Sequence, residues 1–348
     1  MLNACMQCGT CSASCSVRFD LNLRRLIAEY FSSGEFWSPQ LWNCTNCRIC
    51  EDRCPRGIEL TKYIREAKSR AVEEGRVPEE LKKLLESVYK FGNPFGVGKP
   101  RRRSWIDRVD VKFAEKGNFE FLLFAGCATV DERIAEIAAK AAELLKACGI
   151  DFAVLAEEDC CGNDVTAIGE AGLFEELKER NLRVFERYGV RKIVTLSPHC
   201  YNAFRRYYGI ESYHVTELLA GAIERADLKF RKVTELRVTY HDPCYLGRYN
   251  GIYDAPRYVI SSIPGVELVE MQRNRELAIC CGGGSGNVLR DFKVRPSLLR
   301  IDEAATLNVD AIAVACPFCY MMLEDAAKIR GGAVEVKDVV ELVYDSVF

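Results

Sequence analysis

All but one of the 18 cysteines fall into four groups, and the groups pair off as two duplications. One pair is Cys5-x2-Cys8-x2-Cys11-x3-Cys15 and Cys44-x2-Cys47-x2-Cys50-x3-Cys54. The other is Cys127…Cys160-Cys161-Gly162…Ser197-x2-Cys200 and Cys244…Cys280-Cys281-Gly282…Cys316-x2-Cys319. Cysteine at this density makes either disulfides or metal sites. Disulfide frameworks serve small secreted domains short of core, whereas 348 residues, 49% of them hydrophobic, supply two or three packed domains. Met1 leads into Cys5 without an apolar stretch, and no apolar run of about 18 residues follows that would cross a bilayer. A reduced, cytoplasmic chain is therefore expected, attached to a membrane only through a partner. A net charge of −2 argues against nucleic acid as the main partner. The thiolates point to iron and sulfide, and hence to an electron carrier.

The spacing C-x2-C-x2-C-x3-C is the bacterial ferredoxin run, in which the fourth cysteine serves the neighbouring cluster. Cys5, Cys8, Cys11 and Cys54 are assigned to one [4Fe-4S] cubane, and Cys44, Cys47, Cys50 and Cys15 to its twin. Pro55 follows Cys54 as the run prefers, while Ser16 stands where a second proline belongs. Zinc ribbons also use C-x2-C pairs, but two complete four-cysteine runs weigh against zinc. Apolar residues at helical spacing predict helices over Leu21–Phe31 and Leu60–Glu74. Trp37 and Trp42, between the runs, are placed to cover the clusters. CMQCGTCSASC and LWNCTNCRICEDRCPRGI resemble the α-helical ferredoxin domain of fumarate reductase and of the C-type component of heterodisulfide reductase.

The expected organisation is a ferredoxin domain over 1–75, a linker over 76–118, and two α/β domains over 119–230 and 231–348. In the linker, Pro78, Gly92-Asn93-Pro94-Phe95-Gly96 and Lys99-Pro100 break periodicity. It reads as a helix over Glu79–Tyr89 and then an extended strap, with Arg101-Arg102-Arg103 as a solvated face or, alternatively, a docking patch. Beyond it, short apolar runs alternate with helices, as in a parallel sheet with right-handed crossovers. Predicted strands are Phe119–Ala125, Phe152–Leu155, Lys192–Leu196, Val238–His241 and Asp310–Ala315, with a helix over Asp131–Cys148. Cys127, Cys200, Cys244 and Cys316 follow strands, at the edge where open parallel sheets collect ligands. Two halves in the same order imply a pseudo-twofold relation with facing sites. Cys280 and Cys281 point in different directions and suit an extended cluster, with Gly282, Gly283, Gly284 and Gly286 leaving N–H groups free for its sulfides. Neither a phosphate loop nor a clean dinucleotide fingerprint is present.

YHDPCYLGR, DAPR, AICCGGG and ACPFC make nearly the whole chain resemble the D-type component of heterodisulfide reductase, a fusion of C-type and B-type parts with cysteine-rich CCG domains. The resemblance implies a noncubane [4Fe-4S] cluster on Cys244, Cys280, Cys281, Cys316 and Cys319, fed by the cubanes, where a disulfide or thiol substrate is reduced or formed. It implies a redox partner too: a flavoprotein, a membrane cytochrome b, or a quinone module. A non-catalytic relay between electron-transferring flavoprotein and such a membrane module is the competing reading. A glycolate- or lactate-oxidase-type iron–sulfur subunit is a third.

The first half departs from the pattern at Ser197, where a cysteine belongs. Cys127, Cys160, Cys161 and Cys200 remain, and three outcomes stay open: a noncubane cluster completed by serine or solvent, a zinc or cubane site, or an empty relic. His241 is placed to hydrogen-bond a sulfide or deliver a proton to a departing thiolate, or is a satisfied strand-end histidine. His199 has the same alternatives. His214 and Cys148 read as structural. Arg248 and Arg257 read as surface ion pairs or as anchors for substrate anions.

Overall fold

The structure is a computed structural model that describes residues 2–348. The N-terminal part is helical, as expected. Helix α1 (Leu23–Ser33) starts where the Asn22 side chain accepts from Arg25 N, and stops at left-handed Gly34. Helix α2 (Leu60–Glu73) brings Leu60, Ile64 and Ala67 into one small core with Leu23, Leu26 and Ile27 of α1, which also takes in Cys15, Cys44 and Cys50.

The linker begins with helix α3 (Glu79–Phe91), entered after Pro78 and closed by left-handed Gly92. Its apolar stripe of Leu81, Leu84 and Val88 joins the main core rather than water. The rest is less of a free strap than its sequence implies. Asn93 pins the turn, accepting from Phe95 N at 3.0 Å and donating to Val97 O at 2.6 Å. The arginine run is neither a solvated face nor a docking patch at its centre. Arg102 is buried, donates to Gly92 O at 3.0 Å and pairs with Glu158 at 3.1 Å. The Glu158 carboxylate in turn accepts from Ala125 N and Gly126 N, both at 2.9 Å. Arg102→Ala leaves that carboxylate buried and unpaired, so a loss of about 3–5 kcal/mol is expected in chemical unfolding.

Two four-stranded parallel sheets follow. The first holds β1 (Phe121–Phe124), β2 (Phe152–Ala153), β3 (Lys192–Thr195) and β4 (Glu211–His214) in the order β2-β1-β3-β4. The second holds β5 (Leu236–Tyr240), β6 (Val266–Leu268), β7 (Ala311–Val314) and β8 (Glu335–Asp338) in the order β6-β5-β7-β8. All residues of β1 and β7 are buried, as in strands covered on both faces. The flanking helices are α4 (Glu132–Ala147), α5 (Ala171–Arg187), α6 (Pro198–Ala203), α7 (Val215–Glu224), α8 (Asp254–Ser262), α9 (Pro296–Ala305), α10 (Pro317–Ile329) and α11 (Val339–Val347). Packing between the halves is reciprocal: α7, after β4, lies on α8, and α11, after β8, lies on α4. In each sheet the order reverses between the central strands, and the cysteines gather beyond that switch point.

The edge strands β4, β6 and β8 were not legible as strands; ESYH, VEL and EVKD are short and carry charge. His214 is structural, as expected. Its ring accepts from Thr216 N to cap α7, and Nε2 donates to Leu196 O at 3.0 Å. Burial pulls His214 down to about 4. The unfolded chain therefore binds a proton that the folded one refuses between pH 6.5 and 4, so this part of the stability is full above 6.5 and lost on acidification. A span of that size is about 3 kcal/mol. The stability gap between the parent and His214→Asn should narrow by that amount from about pH 7 to pH 4 in urea titrations. Cys148 lies in the core behind α4, where burial pushes its thiol up to about 11.

Candidate iron–sulfur centres

The two ferredoxin runs repeat one backbone conformation. Gln7 and Gly9 in the first and Asn46 and Arg48 in the second all take left-handed angles, and Gln7 N and Asn46 N point at the Cys5 and Cys44 sulfurs at 3.4 Å. Cys5, Cys8, Cys11 and Cys54 line one surface pocket beside Arg24 and Ile27. Cys15 has crossed over: its thiol is pushed up by burial and then by the Cys47 and Cys44 thiols beside it. Cys44, Cys47 and Cys50 are buried with it. Trp42 is buried against Trp37, with ring centroids 6.0 Å apart, and the Lys68 ammonium lies over it at 5.7 Å.

The second α/β half brings its five cysteines together, all buried. Cys244 follows β5, Cys316 caps α10 and Cys319 lies in its first turn. The adjacent pair does not turn fully apart: Cys280 meets Cys244, Cys47 and Cys281, while Cys281 meets Cys280 and Cys319. Gly282 N and Gly283 N point at the Cys280 and Cys281 sulfurs at 3.4 and 3.5 Å. A tetrahedral zinc ion holds its thiolates about 3.8 Å apart. Among the described residues, the only three potential ligands within 4.8 Å of one another are His241, Cys281 and Cys319. No other three such ligands among the described residues come that close together.

His241 is no third ligand. Arg300, fully buried and a donor only, gives Nε–H to His241 Nδ1 at 3.2 Å. Nδ1 is thus the acceptor, and the ring proton sits on Nε2, which has no other partner and lies beside the Cys281 and Cys319 sulfurs. Burial, reinforced by Arg300, keeps the ring neutral, at about 3. The ring thus presents an N–H beside the Cys281 and Cys319 sulfurs, the orientation that either expected role, a hydrogen bond to sulfide or proton delivery to a thiolate, would need.

The ferredoxin loop docks directly on this set. Arg248 donates to Cys47 O at 2.6 Å and Ala278 O at 2.8 Å, and Tyr249 Oη donates to Asn46 O at 2.8 Å. Ser16 accepts from Cys280 N at 2.9 Å, which accounts for the departure from proline at that position. Lys68 reaches from α2 to Cys44 O at 3.2 Å and to Ser285 Oγ at 3.0 Å. At Gly284 an added Cβ would stand 2.5 Å from Thr45 O, so only glycine admits the loop. Gly284→Ala is expected to cost about 1–3 kcal/mol and to slow electron exchange between the ferredoxin part and the second half in stopped-flow reduction.

Neither Arg248 nor Arg257 lies on the surface. Arg248 gives Nε and Nη1 to carbonyls and keeps Nη2 buried without a partner, near the Cys47, Cys244 and Cys280 thiols, and Arg257 clamps Asp242 at 2.6 Å and Glu270 at 2.5 Å, holding the loop before Cys244. Lys68 and Asp164 were missed because neither carries a local motif, and Ser16 was noted only as a departure from proline.

In the first half, Cys127, Cys160, Cys161 and Cys200 are buried and in mutual contact. They line a largely apolar pocket with Leu84, Val88, Val288 and Phe318. His199 links the halves. Its Nδ1 meets Asp164 at 3.0 Å, its ring packs on Phe318 and Tyr245 with centroids 4.6 and 4.5 Å away, and it reaches the Cys316 sulfur.

The chain matches the 4Fe-4S dicluster domain over residues 1–58 and the cysteine-rich domain over 121–205 and 238–324. It is 31% identical to the D-type component of the dihydromethanophenazine:CoB–CoM heterodisulfide reductase of Methanosarcina barkeri, over 90% of this chain and 80% of that one. The chain belongs to the family of heterodisulfide reductase D-type components. It carries the dicluster domain and the paired cysteine-rich domains together. It is also 36% identical to the probable iron-sulfur-binding oxidoreductase FadF of Bacillus subtilis, over 99% of this chain, and 35% identical to the EtfAB:quinone oxidoreductase of Syntrophomonas wolfei, over 88%. The chain spans about half the length of these two, 51% and 46%. A hypothetical protein from Helicobacter pylori shares the fold, with a TM-score of 0.51 at 11% identity, over 95% of this chain and 67% of that one. Among the described residues no helix is long and apolar enough to cross a membrane.

Proposed function

We propose that the chain passes electrons from a cubane on Cys5, Cys8, Cys11 and Cys54, through a second on Cys15, Cys44, Cys47 and Cys50, to a noncubane [4Fe-4S] cluster on Cys244, Cys280, Cys281, Cys316 and Cys319, which reduces or forms a disulfide. The observation that carries this is the contact between the Cys47 and Cys280 side chains, which joins a ligand of the inner ferredoxin set to the first of the vicinal pair. When bound, such clusters take up single electrons, and the noncubane one supplies iron for sulfur chemistry. The protein does the rest. Arg248 and Lys68 offset the negative charge of the buried thiolates, the Arg300–His241 pair fixes an N–H on Cys281 and Cys319, and Ser16 and Gly284 hold the loops in register. The reciprocal packing of α7 on α8 and α11 on α4, and the stacking of His199 on Phe318 at equivalent places in SPHC and CPFC, support an approximate twofold relation between the halves.

The test is disulfide reduction by the purified chain with a reduced viologen, in parent and Cys281→Ala forms. Turnover that vanishes in the variant supports the reading. A relay role has one observation in its favour: every cysteine of the five-membered set is buried. On that reading the partners are a flavoprotein and a membrane cytochrome b or quinone module, as the quinone oxidoreductase relative's name implies. Tight flavoprotein binding without activity on any disulfide would select it.

A further inference from the structure

Ser197 is placed to begin a helix but does not cap it. It occupies the N-cap of α6, ahead of Pro198, yet its hydroxyl accepts no backbone N–H. Serine at that place ordinarily takes such a bond. Instead Oγ is buried, with the residue 3% exposed, and has no partner at all. A buried hydroxyl without a partner is destabilising. The side chain also lines the cavity shared by Cys127, Cys160, Cys161 and Cys200. Its counterpart in the second half is Cys316, in contact with Cys319, the counterpart of Cys200. A relic pocket filled by core side chains would have let Ser197 turn back to its helix. The surroundings are ordered for charge as well: Arg102, neutralised by Glu158, lies behind Cys127, Cys160 and Cys200.

We infer that the first half holds an iron–sulfur centre of its own, bound by Cys127, Cys160, Cys161 and Cys200, with Ser197 Oγ as an oxygen ligand where the second half uses cysteine. The inference rests on the cluster reading of the family fold but concerns the other half. Ligation replaces the hydroxyl proton, which leaves to solvent, by a bond to the metal. Oxygen is a harder donor than thiolate and favours the more oxidised iron. The serine-ligated centre is therefore harder to reduce than the all-cysteine one.

Anaerobically purified full chain, and its Cys161→Ala, Ser197→Cys, Ser197→Ala and Cys281→Ala variants, are compared for iron, acid-labile sulfide and zinc, and by low-temperature electron paramagnetic resonance with redox titration. Expected is a loss of about four irons in Cys161→Ala, by cluster stoichiometry. Ser197→Cys should retain iron and move one signal to a higher midpoint potential, and Ser197→Ala should alter the same signal. Far-UV circular dichroism identifies any variant that fails to fold, and the two Ser197 variants then carry the test. The inference is overturned if Cys161→Ala folds with undiminished iron, if one zinc replaces the missing iron, or if both Ser197 variants keep the parent signals and potentials. Failure of the five-cysteine reading shows separately, as a Cys281→Ala chain with undiminished iron.

Discussion

Cys281→Ala is expected to lose about four irons and their sulfide while both cubane signals survive, and to lower any disulfide turnover by at least about a hundredfold. Cys281 is the member of the vicinal pair that contacts Cys319 as well as Cys280 and has no contact with Cys47 among its main interactions. Its neighbour Cys280 faces Cys244 and Cys47. Removing Cys281 therefore opens the far side of the set and leaves the contact with the second cubane in place. Losses should be confined to one centre. Iron and sulfide analysis with electron paramagnetic resonance checks this, and a variant with full iron and parental spectra would remove the basis for a third cluster.

Lys68→Met is expected to lower the midpoint potential of the buried cubane while leaving the surface one unchanged. Lys68 is 1% exposed and is bonded to Cys44 O, Ser285 Oγ and, at 3.5 Å, Ala167 O. Burial pulls its ammonium down to about 8, opposed by the Cys44 thiolate. A positive charge so placed stabilises the reduced, more negative cluster. At an effective dielectric of about 20, a unit charge several ångströms away is worth on the order of 1–2 kcal/mol, and a tenfold change in a one-electron equilibrium is about 59 mV. A drop of that order in a redox titration, restored in part by Lys68→Arg, is the expected result. Equal potentials in parent and variant would show that the charge is not felt at the cluster.

The crosswise ferredoxin sets and the strand-end cysteines were legible because spacing alone constrains which thiols meet. Strands such as FLLF and AIAV announced themselves by unbroken apolar character, whereas ESYH and EVKD, at sheet edges, are half exposed and carry too little apolar signal. Arg102, Arg248 and Arg257 misled for one reason. Arginine reads as surface in one dimension, and only the tertiary structure supplies the carbonyls and carboxylates that let it be buried. Gly284 belongs to a glycine-rich stretch whose purpose looked electronic. Its tightest requirement is steric, set by the carbonyl of Thr45, far away in the chain.

The loop around Cys44 and Arg48 is sealed from outside by Tyr245, Arg248, Tyr249 and the segment that ends at Arg290. Synthesis runs from the N-terminus, so that loop emerges before its lid exists. On the cluster reading proposed above, iron and sulfide reach that loop most directly before the last third of the chain closes over it, and a chain starved of iron during synthesis is expected to close on an empty site that later supply repairs only by partial unfolding.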